Sequence, residues 1–473
     1  MRRATGQGFV GKVKRYLLAS IAVGLLGSVF VSGFPSGQTP SAKETTPPKP
    51  NVIYILADDL GYGDLGSYGQ TKIQTPHLDQ LAEEGVQFTQ HYAGSPVCAP
   101  SRYTLMTGKH TGHASRRANR PYIPLRSDDA TVAEVLKPAG YRTGIIGKWG
   151  LADTPGDYDP GTMGKPTQRG FDYFFGFLNQ KHAWNYYPNF VWENGDKYEL
   201  NGDKYIQDVF TTKALQFIRQ NREGPFYLSL EYTIPHVNNA LGHTPYNLPI
   251  PCNAPYRDKG WPHIEKNYAA MVTRLDRDVG KIMQLLREQG IADNTIIMFS
   301  SDNGAQNYSP HDKDFFQSTG GLRSYKGRVY EGGIRVPLIV RWPEVVQRGT
   351  ESDHISAMWD ILPTLADVAG AKKPDGIDGI SFLPALRGEP QKKHNYLYWE
   401  FPAHGYQQAI RQGKWKAIRH GGRGGTIELY NLEEDVQEEH NVSAAYLRRV
   451  DKFRKLFINA RTKSEHWPLP TAD

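Results

Sequence analysis

The chain has 473 residues, 56 Lys and Arg against 49 Asp and Glu, a formal net charge of +7 and 39% hydrophobic residues. That length is too great for one small core and calls for a large α/β domain with a smaller companion. The charge excess is modest and no basic run with interleaved aromatics follows the amino terminus, so nucleic acid is set aside as a partner, and the two cysteines, Cys98 and Cys252, allow one disulfide at most.

Arg2, Arg3, Lys12, Lys14 and Arg15 precede an uncharged run over 16–34. A basic region followed by an apolar stretch is an export signal, so residues 1–35 are read that way, with small residues at Ser32 and Gly33 for cleavage. The run is also long enough to span a bilayer, which makes an uncleaved anchor the alternative. A cleaved, exported chain keeps no membrane attachment. Residues 36–50 are rich in Pro, Ser, Thr and Lys and read as a linker. Residues 51–390 are then the main domain and 391–473 a C-terminal α+β subdomain.

Residues 51–57 form a short apolar, β-branched run, which predicts a buried parallel strand. It ends in Asp58-Asp59, followed by Gly61-Tyr62-Gly63-Asp64. Paired carboxylates at a strand's carboxyl end lie where open α/β sheets hold ligands, and hard oxygen donors suit Ca²⁺ or Mg²⁺. A solvated loop or helix cap is the plainer alternative. Residues 75–85 predict a helix closed by glycine, and 86–92 the next strand.

That strand delivers the chain to Cys98-Ala99-Pro100-Ser101-Arg102. Pro100 suits a helix's first turn, and Gly108 ends it. Cys98 therefore lies near a helix N-terminus, where unpaired N–H groups favour negative charge, and Arg102 shares its face four residues on. Two readings stand: a buried free cysteine, or a nucleophile beside a guanidinium at an oxyanion site.

Residues 130–139 predict a helix and 141–146 a strand ending in Gly147-Lys148-Trp149-Gly150. A lysine there is either a surface charge or a clamp for an anion. The loop from Asn179 to Pro188 mixes aromatics with polar groups. His182, Trp184 and Asn185 would suit a carbohydrate by stacking and hydrogen bonding, or the loop simply packs. A helix over 205–220 and a strand over 225–232 lead to Pro235-His236, a histidine suited to donating a proton to a leaving alcohol. Residues 245–262 read as a loop carrying Cys252.

Apolar residues from Tyr268 to Leu286 recur at helical spacing until Gly290. A strand over 295–300 ends in Asp302-Asn303-Gly304, either an Asn-Gly turn or the completion of a hard-cation site with Asp58 and Asp59. His311 and Arg323 are candidates for facing a substrate. Lys326 and Arg335 add positive charge, and Arg335 is read as opening a strand. Residues 359–370 predict a helix. Short runs at 396–400, 408–411, 415–419 and 427–431 predict an antiparallel sheet, with a helical stripe from Leu447 to Ala460 to pack on it.

Taken in order, these motifs resemble the type I sulfatases over about residues 50 to 470. The resemblance implies an alkaline-phosphatase-like α/β fold: a large mixed, mostly parallel sheet sandwiched by helices, with a smaller C-terminal antiparallel sheet plus helix. It implies that a formylglycine-generating maturation enzyme oxidises Cys98 to 3-oxoalanine (formylglycine), whose hydrate is the nucleophile. Asp58, Asp59, Asp302, Asn303 and the modified Cys98 would bind Ca²⁺, or Mg²⁺ in its place. Arg102, Lys148 and Lys326 would hold the sulfate and His236 would protonate the leaving alcohol. The family pattern at 147–150 is Gly-Lys-Trp-His. Gly150 replaces that histidine, the residue credited with taking the proton that expels sulfate, and leaves the base for that step unassigned. The export signal, the aromatic loop and the Gly150 variant are similar to secreted sulfatases that act on polysaccharides, which implies a sulfated glycan of galactose or N-acetylgalactosamine type. A small aryl sulfate, a phosphonate or phosphodiester, and non-catalytic binding of a sulfated glycan are the alternatives.

Overall fold

The structure, a computed structural model, describes residues 48–153 and 161–471. The export or anchor segment 1–35 and all but the last three residues of the 36–50 linker lie outside the described residues. The end of that linker is already tied down: the Lys49 ammonium donates to the Ala139 carbonyl (2.8 Å), and the Tyr141 hydroxyl to the Pro50 carbonyl (3.0 Å).

Ten strands form one sheet. In chain order they are β1 (Asn51–Asp58), β2 (Val86–Phe88), β3 (Arg142–Lys148), β4 (Tyr173–Phe177), β5 (Phe190–Glu193), β6 (Asp196–Glu199), β7 (Phe226–Pro235), β8 (Thr295–Ser301), β9 (Leu338–Arg341) and β10 (Thr350–Ser352). Across the sheet the order is β10-β2-β9-β8-β1-β7-β3-β4-β5-β6. The central block from β8 to β4 is parallel, and antiparallel pairings bring in β9 on one side and the β5–β6 hairpin on the other.

The apolar run predicted as a strand is β1, buried along its whole length near the middle. Its side chains alternate between two cores, Ile53, Ile55 and Ala57 to one face, Val52, Tyr54 and Leu56 to the other, as the pleat dictates. Helices Pro76–Glu83, Ile206–Asn221 and His263–Glu288 cover the first face. Cys98–Thr107, Val132–Leu136 and Ile361–Ala369 cover the second. A strand buried on both faces requires an unbroken apolar sequence, which is why β1, β7 and β8 were readable.

Register then gathers the polar residues. Asp58 pairs with Pro235 on β7, Ala57 with Ser301 on β8, and Gly147 of β3 with Glu231 of β7. Asp58-Asp59, Lys148, His236 and Asp302-Asn303 therefore emerge together at the carboxyl edge of the parallel block.

Three local expectations are corrected. The strand expected over 86–92 is split: Val86–Phe88 stays in the sheet, while His91–Tyr92 pairs with Ser356–Ala357. Between them the Thr89 carbonyl accepts from Arg335 Nε (2.8 Å) instead of continuing the ladder. Arg335 does not open a strand. It follows the short helix Glu331–Ile334, its N–H donating to the Glu331 carbonyl (2.7 Å), and β9 starts only after Pro337. The β5–β6 hairpin was not anticipated, although Asn194 and Gly195 (φ 55° and 141°) supply the residues such tight turns favour.

In the C-terminal region, Leu397–Phe401, Gln407–Gln412, Trp415–His420 and Ile427–Asn431 form an antiparallel sheet. One face packs on Val450, Phe453 and Phe457 of the helix Leu447–Asn459, and the other carries Trp399, Ala409 and Ile418 against Tyr92 and Trp359. A buried ionic knot sits beside this second face. Lys416 Nζ lies 2.9 Å from both Glu331 and Glu438, and the Tyr92 hydroxyl donates to Glu331 (2.7 Å). Burial opposes ionisation of Glu331, but the Lys416 charge overcomes it and holds the carboxyl down to about 2. Among the described residues, no helix is long and apolar enough to cross a membrane.

Lys416→Met strands two buried carboxylates and should destabilise the fold by about 3–5 kcal/mol in denaturant titration. A depressed carboxyl stabilises above its unfolded value, about 4.3, and that contribution is lost as pH falls through the folded one. The gap between wild type and variant should therefore narrow as pH drops from about 4.3 toward 2. A gap that does not change with pH would mean Glu331 is not ionised in the fold.

Candidate active site

The helix Cys98–Thr107 is buried throughout, is preceded by the extended residue Val97 and stops at Gly108 (φ 68°). Cys98 is its first residue. Its Sγ donates to Asp58 Oδ1 (3.3 Å) and lies 3.9 Å from Asp59 Oδ1. Burial and the Asp58 charge push the thiol well above its ordinary pKa. Cys98 and Cys252 are both free, Cys98 buried and Cys252 exposed.

Beyond β1 the chain turns through Asp59 in the left-handed region (φ 69°), which aspartate tolerates better than most residues. Its N–H donates to Asp302 Oδ1 (3.1 Å), locking the β1 and β8 ends together. Its carboxylate accepts from Asn303 Nδ2 (2.8 Å) and from Lys326 Nζ (2.7 Å). Lys148, at the end of β3, places Nζ 2.5 Å from Asp58 Oδ2. β3 approaches β7 closely because residue 147 is glycine: a Cβ there would lie 1.9 Å from the Glu231 carbonyl oxygen.

Arg102 joins these ends. It donates to Asp302 Oδ2 through Nε (3.2 Å) and NH2 (3.0 Å), and through NH1 to Glu231 (2.6 Å) and the Lys148 carbonyl (2.8 Å). Asp58 is 3.7 Å from NH2. His236 Nδ1 faces the Val237 carbonyl, which turns Nε2 toward Asp59 (3.6 Å). Burial and the Lys326 charge hold its pKa down to about 4. Gln306 clamps this turn, accepting from the Val237 N–H (2.9 Å) and donating to the Pro235 carbonyl (2.7 Å).

The site thus holds four buried carboxyl groups (Asp58, Asp59, Glu231, Asp302) against three cations (Arg102, Lys148, Lys326), one more acid than base, and burial raises the pKa of Glu231 and that of Asp302, the latter to about 7. Ligand atoms of Asp58, Asp59, Cys98 and His236 lie within 4.8 Å of one another. The buried Asn303 Oδ1 has no hydrogen-bond partner among the described residues. Hard oxygen donors, an orphaned amide oxygen and the excess of acids over bases fit a divalent cation.

Cys98, His236 and Lys326 open into a cavity of about 720 Å³ whose wall includes Tyr122, Trp184 and Tyr308, with Phe401 from the end of the first strand of the small sheet and His404 from the loop that follows it. Of the five side chains expected to meet a substrate, only Trp184 lines it. His182 is packed against the rings of Phe177 and Phe190, and burial lowers its pKa to about 4. Asn185 accepts from the Tyr187 N–H (3.1 Å), a local turn contact. His311 is buried, stacked on Tyr268 (4.1 Å) with Nδ1 2.8 Å from Glu265. Arg323 donates to the Tyr430 hydroxyl (3.0 Å) and the Glu438 carbonyl and lies over the Tyr330 ring, tying the small sheet to the body. These four do not line the cavity: His311 and Arg323 are held by residues distant in the chain, and His182 and Asn185 by neighbours in or beside their own loop.

Residues 50–371 match the sulfatase family, and 323–457 the family of N-sulphoglucosamine sulphohydrolase C-terminal regions. The chain belongs to the sulfatase family. It is a sulfuric ester hydrolase. The sulfatase is 30% identical to N-acetylgalactosamine-6-O-sulfatase of Bacteroides thetaiotaomicron, over 88% of this chain and 94% of that one. It is 31% identical to human steryl-sulfatase, over 77% and 74% of the two chains. Among solved structures, Ps i-CgsB in complex with k-i-k-neocarrahexaose superposes with a TM-score of 0.73 at 31% identity, over 89% of this chain and 95% of that one.

Sequence reasoning missed Glu231, Gln306 and Gln180 in this sulfatase. Glu231 had a signal, since a carboxylate inside a strand that is apolar on both sides needs a buried cation. Gln306 had none, because loop amides are ordinary until the loops meet, and Gln180 had only its place in the 179–188 loop already read as suited to a carbohydrate.

Arg102→Ala removes the cation shared by Asp302, Glu231 and Asp58. It should destabilise the sulfatase by about 3–5 kcal/mol in denaturant unfolding, beyond any loss of turnover. Wild-type stability in that variant would show that these carboxylates do not depend on the guanidinium.

Proposed function

We propose that this sulfatase removes sulfate from a sulfated polysaccharide or oligosaccharide of the galactose or N-acetylgalactosamine type. The cavity above Cys98 carries the reading. At about 720 Å³, walled by Tyr122, Trp184, Tyr308 and Phe401, it has far more room than a sulfate group needs. Aromatic faces with polar edges suit the C–H faces and hydroxyls of a sugar. The N-acetylgalactosamine-6-O-sulfatase relative and the neocarrahexaose complex support the same class. The basic-then-apolar segment 1–35 supports export to the periplasm or exterior, by cleaved signal or retained anchor.

In this reading a maturation enzyme oxidises Cys98 to formylglycine, and the hydrate of that aldehyde supplies the nucleophilic oxygen. Asp58, Asp59, Asp302 and Asn303, with the modified Cys98, would hold Ca²⁺, or Mg²⁺ in its place, which lowers the nucleophile's pKa and offsets the sulfate charge. Lys148 and Lys326 stabilise charge developing on the transferring oxygens. Arg102 fixes the carboxylates that flank them. His236, its Nδ1 committed to the Val237 carbonyl, gives the Nε2 proton to the leaving alcohol. Burial and Lys326 keep the imidazole neutral at rest, and the bound anion raises its affinity for that proton.

Cys98→Ala should abolish sulfate release while leaving a folded protein, and mass spectrometry of the wild-type peptide should find an aldehyde at this position. Wild-type turnover by the variant would sink the scheme. Chelator treatment should remove activity that Ca²⁺ restores. His236→Ala should lower kcat/KM for a sugar sulfate by about 10²–10⁴-fold, and less for 4-nitrophenyl sulfate, whose leaving group departs without a proton. Equal losses on both esters would deny His236 the acid role.

A further inference from the structure

We infer that Gln180 is a specificity-determining residue whose carboxamide N–H donates to an oxygen of the sugar carrying the sulfate. The inference rests on the glycan reading above. Gln180 is 6% exposed and lines the same cavity as Cys98, His236 and Lys326. Its Nε2 is buried and has no hydrogen-bond partner among the described residues. Buried donors are almost always paired, so an unpaired one in the wall of a substrate cavity is a group waiting for an acceptor.

Its position depends on Gly150. That residue adopts φ 71°, and a Cβ built on it would lie 2.3 Å from Gln180 Nε2. The carboxamide fills room that a side chain at 150 would take. The Gly150 carbonyl accepts from Arg116 NH1 (2.9 Å) and not from the Gln180 amide. Trp184, four residues further along the same loop, lines the cavity too, so one loop offers an aromatic face and an amide donor together.

The chemistry separates sugar from sulfate. Lys148 and Lys326 already match the anion with full charges. A neutral amide adds little to that, but it discriminates between ligands that present an oxygen at its position and ligands that do not. Gln180 thus acts on the saccharide part of the substrate.

The test is the ratio of kcat/KM for a saccharide ester to kcat/KM for 4-nitrophenyl sulfate, measured on one preparation so that any loss of folded protein cancels. The saccharide is a 6-sulfated N-acetylgalactosamine oligosaccharide or a neocarra-oligosaccharide, whichever wild type turns over. Gln180→Leu should lower the ratio by about 10–100-fold. Gln180→Asn, which withdraws the amide by one methylene, should lower it in the same direction. An unchanged ratio in both variants overturns the assignment of Gln180 while leaving the glycan reading intact. Wild-type protein that hydrolyses the aryl ester but neither saccharide overturns the glycan reading, and this inference with it.

Discussion

The guanidinium of Arg102 lies where three parallel strands end, bonded to Asp302 and Glu231 and to the backbone of the strand that carries Lys148. Three carboxylates, Asp58, Glu231 and Asp302, are buried within 3.7 Å of it, and desolvating that many like charges without compensation would unfold the edge of the sheet. Arg102 cannot be traded for lysine here. Its planar fork reaches two carboxylates and a carbonyl from separate nitrogens, a span that a single ammonium does not have. Its position on the same helix as Cys98 also makes it the element that sets that helix against the sheet. Charge balance, helix placement and the location of Cys98 are therefore one constraint.

The sheet supplies the precision that the constraint needs. Parallel pairing puts the ends of β1, β3, β7 and β8 on one edge, and a slip of one residue would send alternate side chains to the opposite face. Gly147 permits the close approach of β3 and β7, and the left-handed turn at Asp59 brings the second carboxylate back toward the first. Groups that handle charge thus stand on rigid elements. Those that face the cavity, Tyr122, Trp184, Tyr308 and His404, come from loops outside the parallel block, where residue identity can change without disturbing the sheet.

The small C-terminal sheet belongs to both arrangements. Lys416 anchors it to Glu331 in a buried ionic contact, and Phe401 and His404 carry it to the cavity wall. Separating it from the body would break the Lys416–Glu331 contact and expose both groups to solvent. Sulfate chemistry and sugar recognition are thereby held in a fixed relation, although the residues involved lie some 300 positions apart in the chain.

The motifs that bear charge were legible because each is local. Asp58-Asp59, Lys148, Pro235-His236 and Asp302-Asn303 all terminate or follow apolar runs, and a short β-branched apolar run bounded by turn residues is a short-range pattern that favours a buried strand. The helix beginning at Cys98 was equally local, set by Pro100 and Gly108. Glu231 was hidden inside a strand, and Gln180 has meaning only because Gly150 lacks a side chain. His311 and Arg323 looked available and are instead spoken for by Glu265 and by Tyr430. Sequence by itself determined the central strands, most of the helices and the charged residues at the strand ends, since backbone sterics and apolar periodicity act over a few residues. Only the tertiary structure decided which loops meet above Cys98, because a side chain's availability depends on the long-range neighbours that satisfy it or leave it unpaired.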